Sequence, residues 1–82
     1  VSGIVQGVGF RFFVIRQAEH LNLKGFVRNT SEGDVELEAE GEPGDLKSLV
    51  DELHKGPSMS RVTDVKVEWF TDEKGYRDFS LR

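Results

Sequence analysis

Apolar residues recur with helical spacing in two stretches of this chain, and the segments around both stretches alternate as strands do. Between Phe10 and Leu21 the apolar positions are 10, 13, 14, 18 and 21, the stripe of an amphipathic helix. Leu46, Leu49, Val50 and Leu53 repeat that stripe at i, i+3, i+4 and i+7. Val1–Val5 is a short β-like opening, and Gly25–Thr30 reads as a second strand. Val35, Leu37 and Ala39 then alternate with Glu36, Glu38 and Glu40, which predicts one buried and one wet face. Val65, Val67 and Trp69 alternate with Lys66, Glu68 and Phe70 as a further strand with Trp69 in the core, and Phe79 and Leu81 suggest a short last one. The breaks fall between these elements. Asn22 suits a left-handed position after the first helix. Ser31-Glu32-Gly33-Asp34 makes a turn, Pro43-Gly44-Asp45 starts the second helix, and Gly56-Pro57 stops it.

Strand, helix, strand, strand, helix, strand is the split βαβ order. It predicts an α+β, ferredoxin-like βαββαβ sandwich, with an antiparallel sheet, two helices on one face and a short extra C-terminal strand. Eighty-two residues hold one domain, spanning 1–82, with one modest core. Glu36, Glu38 and Glu40 are assigned to its solvated face without a function.

Composition narrows the partners. The net charge of −4 argues against a nucleic-acid binder, which carries a basic face, so a bound phosphate has to be held by local groups. The chain has no cysteine, so neither a disulfide framework nor a thiolate metal site is available, and a reducing cytoplasm is expected. No apolar run approaches membrane-spanning length, and no signal peptide is visible in a chain that starts at Val1. His20 and His54 lack paired-histidine spacing, so no metal site is expected.

The chemistry is expected where the first strand meets the first helix, at Gln6-Gly7-Val8-Gly9-Phe10-Arg11. Amides at a helix N-terminus lack intrahelical partners and favour an anion. Glycines at 7 and 9 let the backbone curl into a nest, and the Arg11 guanidinium can pair with phosphate oxygens. The spacing fails the G-x-G-x-x-G dinucleotide pattern, and no Lys-Ser/Thr pair completes a P-loop. Taken alone, it fits a tight turn with an exposed arginine as well as it fits an anion site.

The run Val1-Ser2-Gly3-Ile4-Val5-Gln6-Gly7-Val8-Gly9-Phe10-Arg11 resembles the acylphosphatase signature V-x-G-x-V-Q-G-V-G-F-R. Gly25-Phe26-Val27-Arg28-Asn29 is similar to that family's second signature, G-[WFY]-V-[RK]-N. Ala18, Leu21, Gly33, Val35-Glu36, Glu40-Gly41 and Gly56-Pro57 also match, so the resemblance covers nearly the whole chain. It implies hydrolysis of acyl phosphates to a carboxylate and inorganic phosphate, without metal or cofactor. It implies catalytic roles for Arg11 and Asn29, with phosphate held by the loop of Gln6, Gly7, Val8, Gly9, Phe10 and Arg11. Partners are then the small acyl phosphate and inorganic phosphate, with no nucleic acid and no membrane, and the chain is expected to be a monomer. Arg28 and Lys24 are read as solvated basic residues; Phe12 and Ile15 lie off the apolar stripe.

Two other readings remain and a third is rejected. One is the acylphosphatase-like domain of carbamoyl-transferring maturation proteins, whose loop continues G-F-R-P-F where this chain has Phe12; the end at Arg82 favours a stand-alone enzyme. Another is a non-catalytic module that binds a small anion through the same loop. An RNA-recognition module is rejected, because Val8 stands where an aromatic belongs and the motif precedes the first helix. Members of the family normally begin their first strand several residues earlier. Val1–Val5 is therefore expected to supply only the last part of a central strand, leaving open edges beside it.

Overall fold

The computed structural model describes residues 1–70 and 73–82. The elements are β1 (Ser2–Ile4), α1 (Phe10–His20), β2 (Lys24–Asn29), β3 (Val35–Glu40), α2 (Pro43–Lys55), β4 (Arg61–Asp64) and β5 (Phe79–Leu81). The α+β order holds, including the short last strand. Asn22 takes the left-handed position with φ 57°, as its place after α1 predicted.

Hydrogen bonding divides the strands into a β1–β4 pair and a β3-β2-β5 sheet. The two are joined where Val1 and Val35 exchange backbone hydrogen bonds of 2.6 and 2.9 Å. The combined order is β4-β1-β3-β2-β5. β1 is antiparallel to β4 and β2 to β3, whereas β5 runs parallel to β2, so the sheet is mixed rather than wholly antiparallel.

β2 lies between β3 and β5, and both of its faces are covered. Val27 lies on the inner face, in the core formed by Val5, Phe10, Phe13, Val14, Ala18, Leu23, Val35, Leu49, Leu53 and Phe79. The buried residues of α1 are Phe10, Phe13, Val14 and Ala18, which is the expected stripe apart from half-buried Leu21. α1 packs on β2 and β5 and beside α2, which packs on β4. Phe26 is on the outer face, opposite Glu38. The Arg82 guanidinium lies 4.3 Å from its ring centroid, and Tyr76 meets it edge-on.

Two expectations are corrected. The fourth strand is Arg61–Asp64, and Val65–Phe70 carries no strand. Trp69 is outside the core with 58% of its surface exposed, beside Phe70 at 74%. The pairing of β4 with β1 stops at Ser2–Asp64, and among the described residues no strand pairs with Val65–Phe70. An open groove of ≈ 1150 Å³ runs between that segment and the free edge of β3. Leu37 and Ala39, expected to be buried, are half-exposed there.

The acidic row on β3 is also more than a wetted face. Glu36 pairs with Arg28 across the sheet at 3.1 Å. Glu38 binds Lys74 at 2.8 Å and accepts a hydrogen bond from the Tyr76 hydroxyl. Glu40 accepts from the backbone amides of Lys74, Gly75 and Tyr76. The row tethers the C-terminal segment across the outer face.

Candidate active site

Val5 is buried, and Gln6 follows it out of the sheet. The chain then turns through Gly7 at φ 75° and Gly9 at φ 77°, left-handed values that an L-residue adopts at a cost. Gly9 is the N-cap of α1 and offers no side chain to the helix. The first helical bond runs from Phe13 N to Gly9 O at 3.0 Å. Among the described residues, the amides of residues 7 to 12 have no backbone acceptor and no side-chain acceptor. Six consecutive donors without partners, at the positive end of a helix, make a concave row that can hold an anion.

The residues of the expected loop divide in their roles. Gly7 and Gly9 are exposed, and Val8 packs half-buried against the core. Phe10 is 1% exposed, with its ring 5.9 Å from that of Phe13, so only its amide is available to a ligand. Arg11 is half-buried and makes no hydrogen bond or ion pair among the described residues. Its guanidinium is therefore free to bind an incoming anion.

Asn29 ends β2. Strand alternation puts Gly25, Val27 and Asn29 on the face that α1 covers, and sends Lys24, Phe26 and Arg28 to the other. Arg28 is thereby removed from the site and committed to Glu36. The Oδ1 atom of Asn29 is buried and has no donor among the described residues. A buried amide oxygen without a partner costs roughly 1–3 kcal/mol, so the Asn29 side chain is a polar group that the described residues leave unsatisfied at the end of β2.

Sequence reading missed what joins the two halves. The Gln6 side-chain nitrogen donates to Thr30 O at 2.9 Å and to Asp34 O at 2.8 Å. Those carbonyls stand at the mouth of the β2–β3 hairpin, which is closed by Thr30 N to Asp34 O and by Asp34 N to the Thr30 hydroxyl. Thr30 follows Asn29, and Gln6 precedes Gly7, so one carboxamide links the cradle to the strand end. In that turn Glu32 is held below the ordinary carboxylate range by its own backbone amide and then by the Ser31 and Thr30 hydroxyls. It remains an anion and supplies no acid to the site. No group of three or more metal-ligating side chains occurs among the described residues.

Fold and loop together define a ferredoxin-like α+β domain that presents an open row of amides beside the end of β2. The acylphosphatase family model matches residues 1–81. The acylphosphatase of Thermotoga maritima is 48% identical over 82 residues, which is all of this chain and 90% of that protein. The crystal structure of acylphosphatase from Bacillus subtilis superposes with a TM-score of 0.98 at 41% identity, covering 100% of this chain and 91% of the other. Full-length HypF in its phosphate- and nucleotide-bound form contains a similar domain, with a TM-score of 0.89 and 41% identity over 98% of this chain and 10% of HypF. The chain belongs to the acylphosphatase family and is a hydrolase of the acid-anhydride class.

Proposed function

We propose that this chain hydrolyses acyl phosphates, with the amides of the Gln6–Arg11 loop and the Arg11 guanidinium holding the phosphate while Asn29 holds the attacking water. The observation that carries the reading is the row of unpartnered amides at residues 7 to 12 beside Arg11, tied through Gln6 to Thr30, the neighbour of Asn29. Family membership supports the reaction class.

The chemistry asks little of the side chains. Water oxygen attacks phosphorus, the bond from phosphorus to the acyl oxygen breaks, and the carboxylate leaves with the electron pair. A dianionic acyl phosphate and water become a carboxylate and dihydrogen phosphate, so charge and atoms balance. The leaving carboxylate is a weak base and needs no proton. What remains is to gather charge on the equatorial oxygens and to place the water in line. Preorganised amides and Arg11 do the first, as an oxyanion hole does. Asn29 accepts a hydrogen bond from the water but cannot deprotonate it near neutral pH, so the water's proton passes to a phosphate oxygen.

The site is built within one chain, which supports a monomer as the working form. The absence of cysteine suits a reducing compartment, and we place the activity in the cytoplasm. No helix among the described residues is long and apolar enough to cross a membrane. The likeness to HypF supports a variant of the same reading, with this site inside a longer polypeptide.

The test is hydrolysis of a simple aromatic acyl phosphate by the chain and by Arg11→Ala and Asn29→Ala. Each substitution is expected to cost about 10²- to 10³-fold in kcat, the scale of a lost oxyanion donor. Inorganic phosphate should compete poorly in Arg11→Ala and almost normally in Asn29→Ala. Equal, slow turnover by all three proteins would leave only an anion-binding module.

A further inference from the structure

We infer that Gln6 is a positioning residue for this reaction: its side-chain amide sets the distance between the phosphate cradle and the water-holding Asn29. The inference rests on the reading above and deepens it. Gln6 belongs to the loop expected to bind phosphate, yet its donors are already occupied. Both hydrogens of its side-chain nitrogen go to hairpin carbonyls, Thr30 O at 2.9 Å and Asp34 O at 2.8 Å. These bonds span 24 and 28 residues of sequence, so they fix tertiary geometry and not a local turn.

The two ends of the link bear on the reaction. On one side, Gln6 is the last residue before the left-handed Gly7, where the row of open amides begins. On the other, Thr30 is bonded through its carbonyl while its neighbour Asn29 carries the donorless Oδ1. The hairpin mouth is itself rigid, since Thr30 and Asp34 are tied through backbone and hydroxyl. A displacement of Gln6 therefore moves the cradle as a body relative to Asn29. The cradle itself is confined to residues 7–12 and keeps its own amides and Arg11.

This arrangement separates binding from turnover. Phosphate affinity depends on the cradle alone. The rate depends on cradle and water together, because an error of about 1 Å in such a pair costs on the order of 10²-fold. A primary amide is suited to the task because one nitrogen donates twice in a fixed plane. Glutamate, of the same shape, would place oxygen against two carbonyl oxygens.

The experiment compares the chain with Gln6→Met and Gln6→Glu. Melting curves establish that each variant is folded at the assay temperature. The expected result is a loss of about 10- to 100-fold in kcat, with the inhibition constant for inorganic phosphate little changed. In an Asn29→Ala background, Gln6→Met should cost no further kcat, since there is no held water left to misplace. An equal rise in the phosphate constant would overturn the inference by making Gln6 a phosphate ligand. A lower melting temperature with unchanged kcat would overturn it by making Gln6 only structural, and so would an undiminished loss in the Asn29→Ala background. The kcat-to-phosphate split decides alone if Asn29→Ala is too slow to assay. Full activity in Asn29→Ala sinks the reading of the site itself, whereas an inactive Asn29→Ala beside an unimpaired Gln6→Met sinks only the role of Gln6.

Discussion

Gly9 caps α1 at φ 77° and ψ 18°, and a Cβ placed there would meet nothing within 4 Å. Any penalty for a side chain is therefore backbone strain and not a clash. Gly9→Ala should cost about 1–2 kcal/mol, because alanine resists the left-handed region. For a domain of this size each kcal/mol moves the melting temperature by roughly 4–8 °C. Gly9→Asn should lose less, since asparagine tolerates that region, and thermal melts of the two variants should rank accordingly. A Gly9→Asn protein no more stable than Gly9→Ala would show that the position is sensitive for another reason. Individual residues were legible in the sequence to different degrees. Arg11 and Asn29 stand in long motifs, and the strand period already places Asn29 on the face of Val27. The link made by Gln6 was not legible, because a side-chain bond across 24 residues leaves no mark on local spacing. Phe10 sits in the same run as Arg11, yet its ring is core, and only coordinates separate a buried anchor from a ligand-facing neighbour.

The outer face of the sheet shows how an element pattern can be read correctly and still understate its work. The alternation on β3 announced a polar face, but not that Glu38 and Glu40 would grip residues 74–76 from a separate part of the chain. Glu38 is held below the ordinary carboxylate range first by its hydrogen bond from Lys74 and then by that from Tyr76. Lys74 and Tyr76 are both raised by the same partner. A carboxyl lowered in the folded state contributes stability above its unfolded value, and this contribution fades as pH falls through the folded value. Glu38→Gln, which keeps an acceptor and removes the charge, should therefore melt lower than the parent near neutral pH. The gap should close as pH falls below the usual carboxylate range, through the lowered folded-state value of Glu38. A gap independent of pH would trace the loss to packing and not to charge. The strand expected at Val65–Trp69 failed for a related reason: alternation marks a segment able to pair, but a strand needs a backbone opposite it. The β1–β4 pairing stops at Ser2–Asp64, and Trp69, beyond it, stays outside the core.

Across the whole molecule, binding and folding share one hinge. Phe10 opens α1, supplies one of the open amides and fills the core beside Phe13 and Val14, so the cradle cannot form unless the core does. The order of elements was enough to predict this layered arrangement, because a stripe on each helix has only one sheet to cover. The mixed direction of β5 and the single Val1–Val35 junction were not predictable, since neighbour order in a sheet is set by packing between distant segments. With phosphate held by the loop as proposed, the same coupling should make the anion a stabiliser of the entire domain. A ligand that binds the folded state alone, at ten times its dissociation constant, adds about 1.4 kcal/mol. In a domain of this size that corresponds to a melting temperature raised by roughly 6–11 °C. The net charge of −4 opposes any diffuse attraction of phosphate, so the rise should come from the cradle and vanish in Arg11→Ala. Thermal melts in matched concentrations of phosphate and chloride measure it. Phosphate also stabilises proteins by exclusion from their surfaces, and that contribution is common to both variants. An equal rise in the parent and in Arg11→Ala would therefore mean that the anion acts from solution, and that the open amides of residues 7–12 do not hold it.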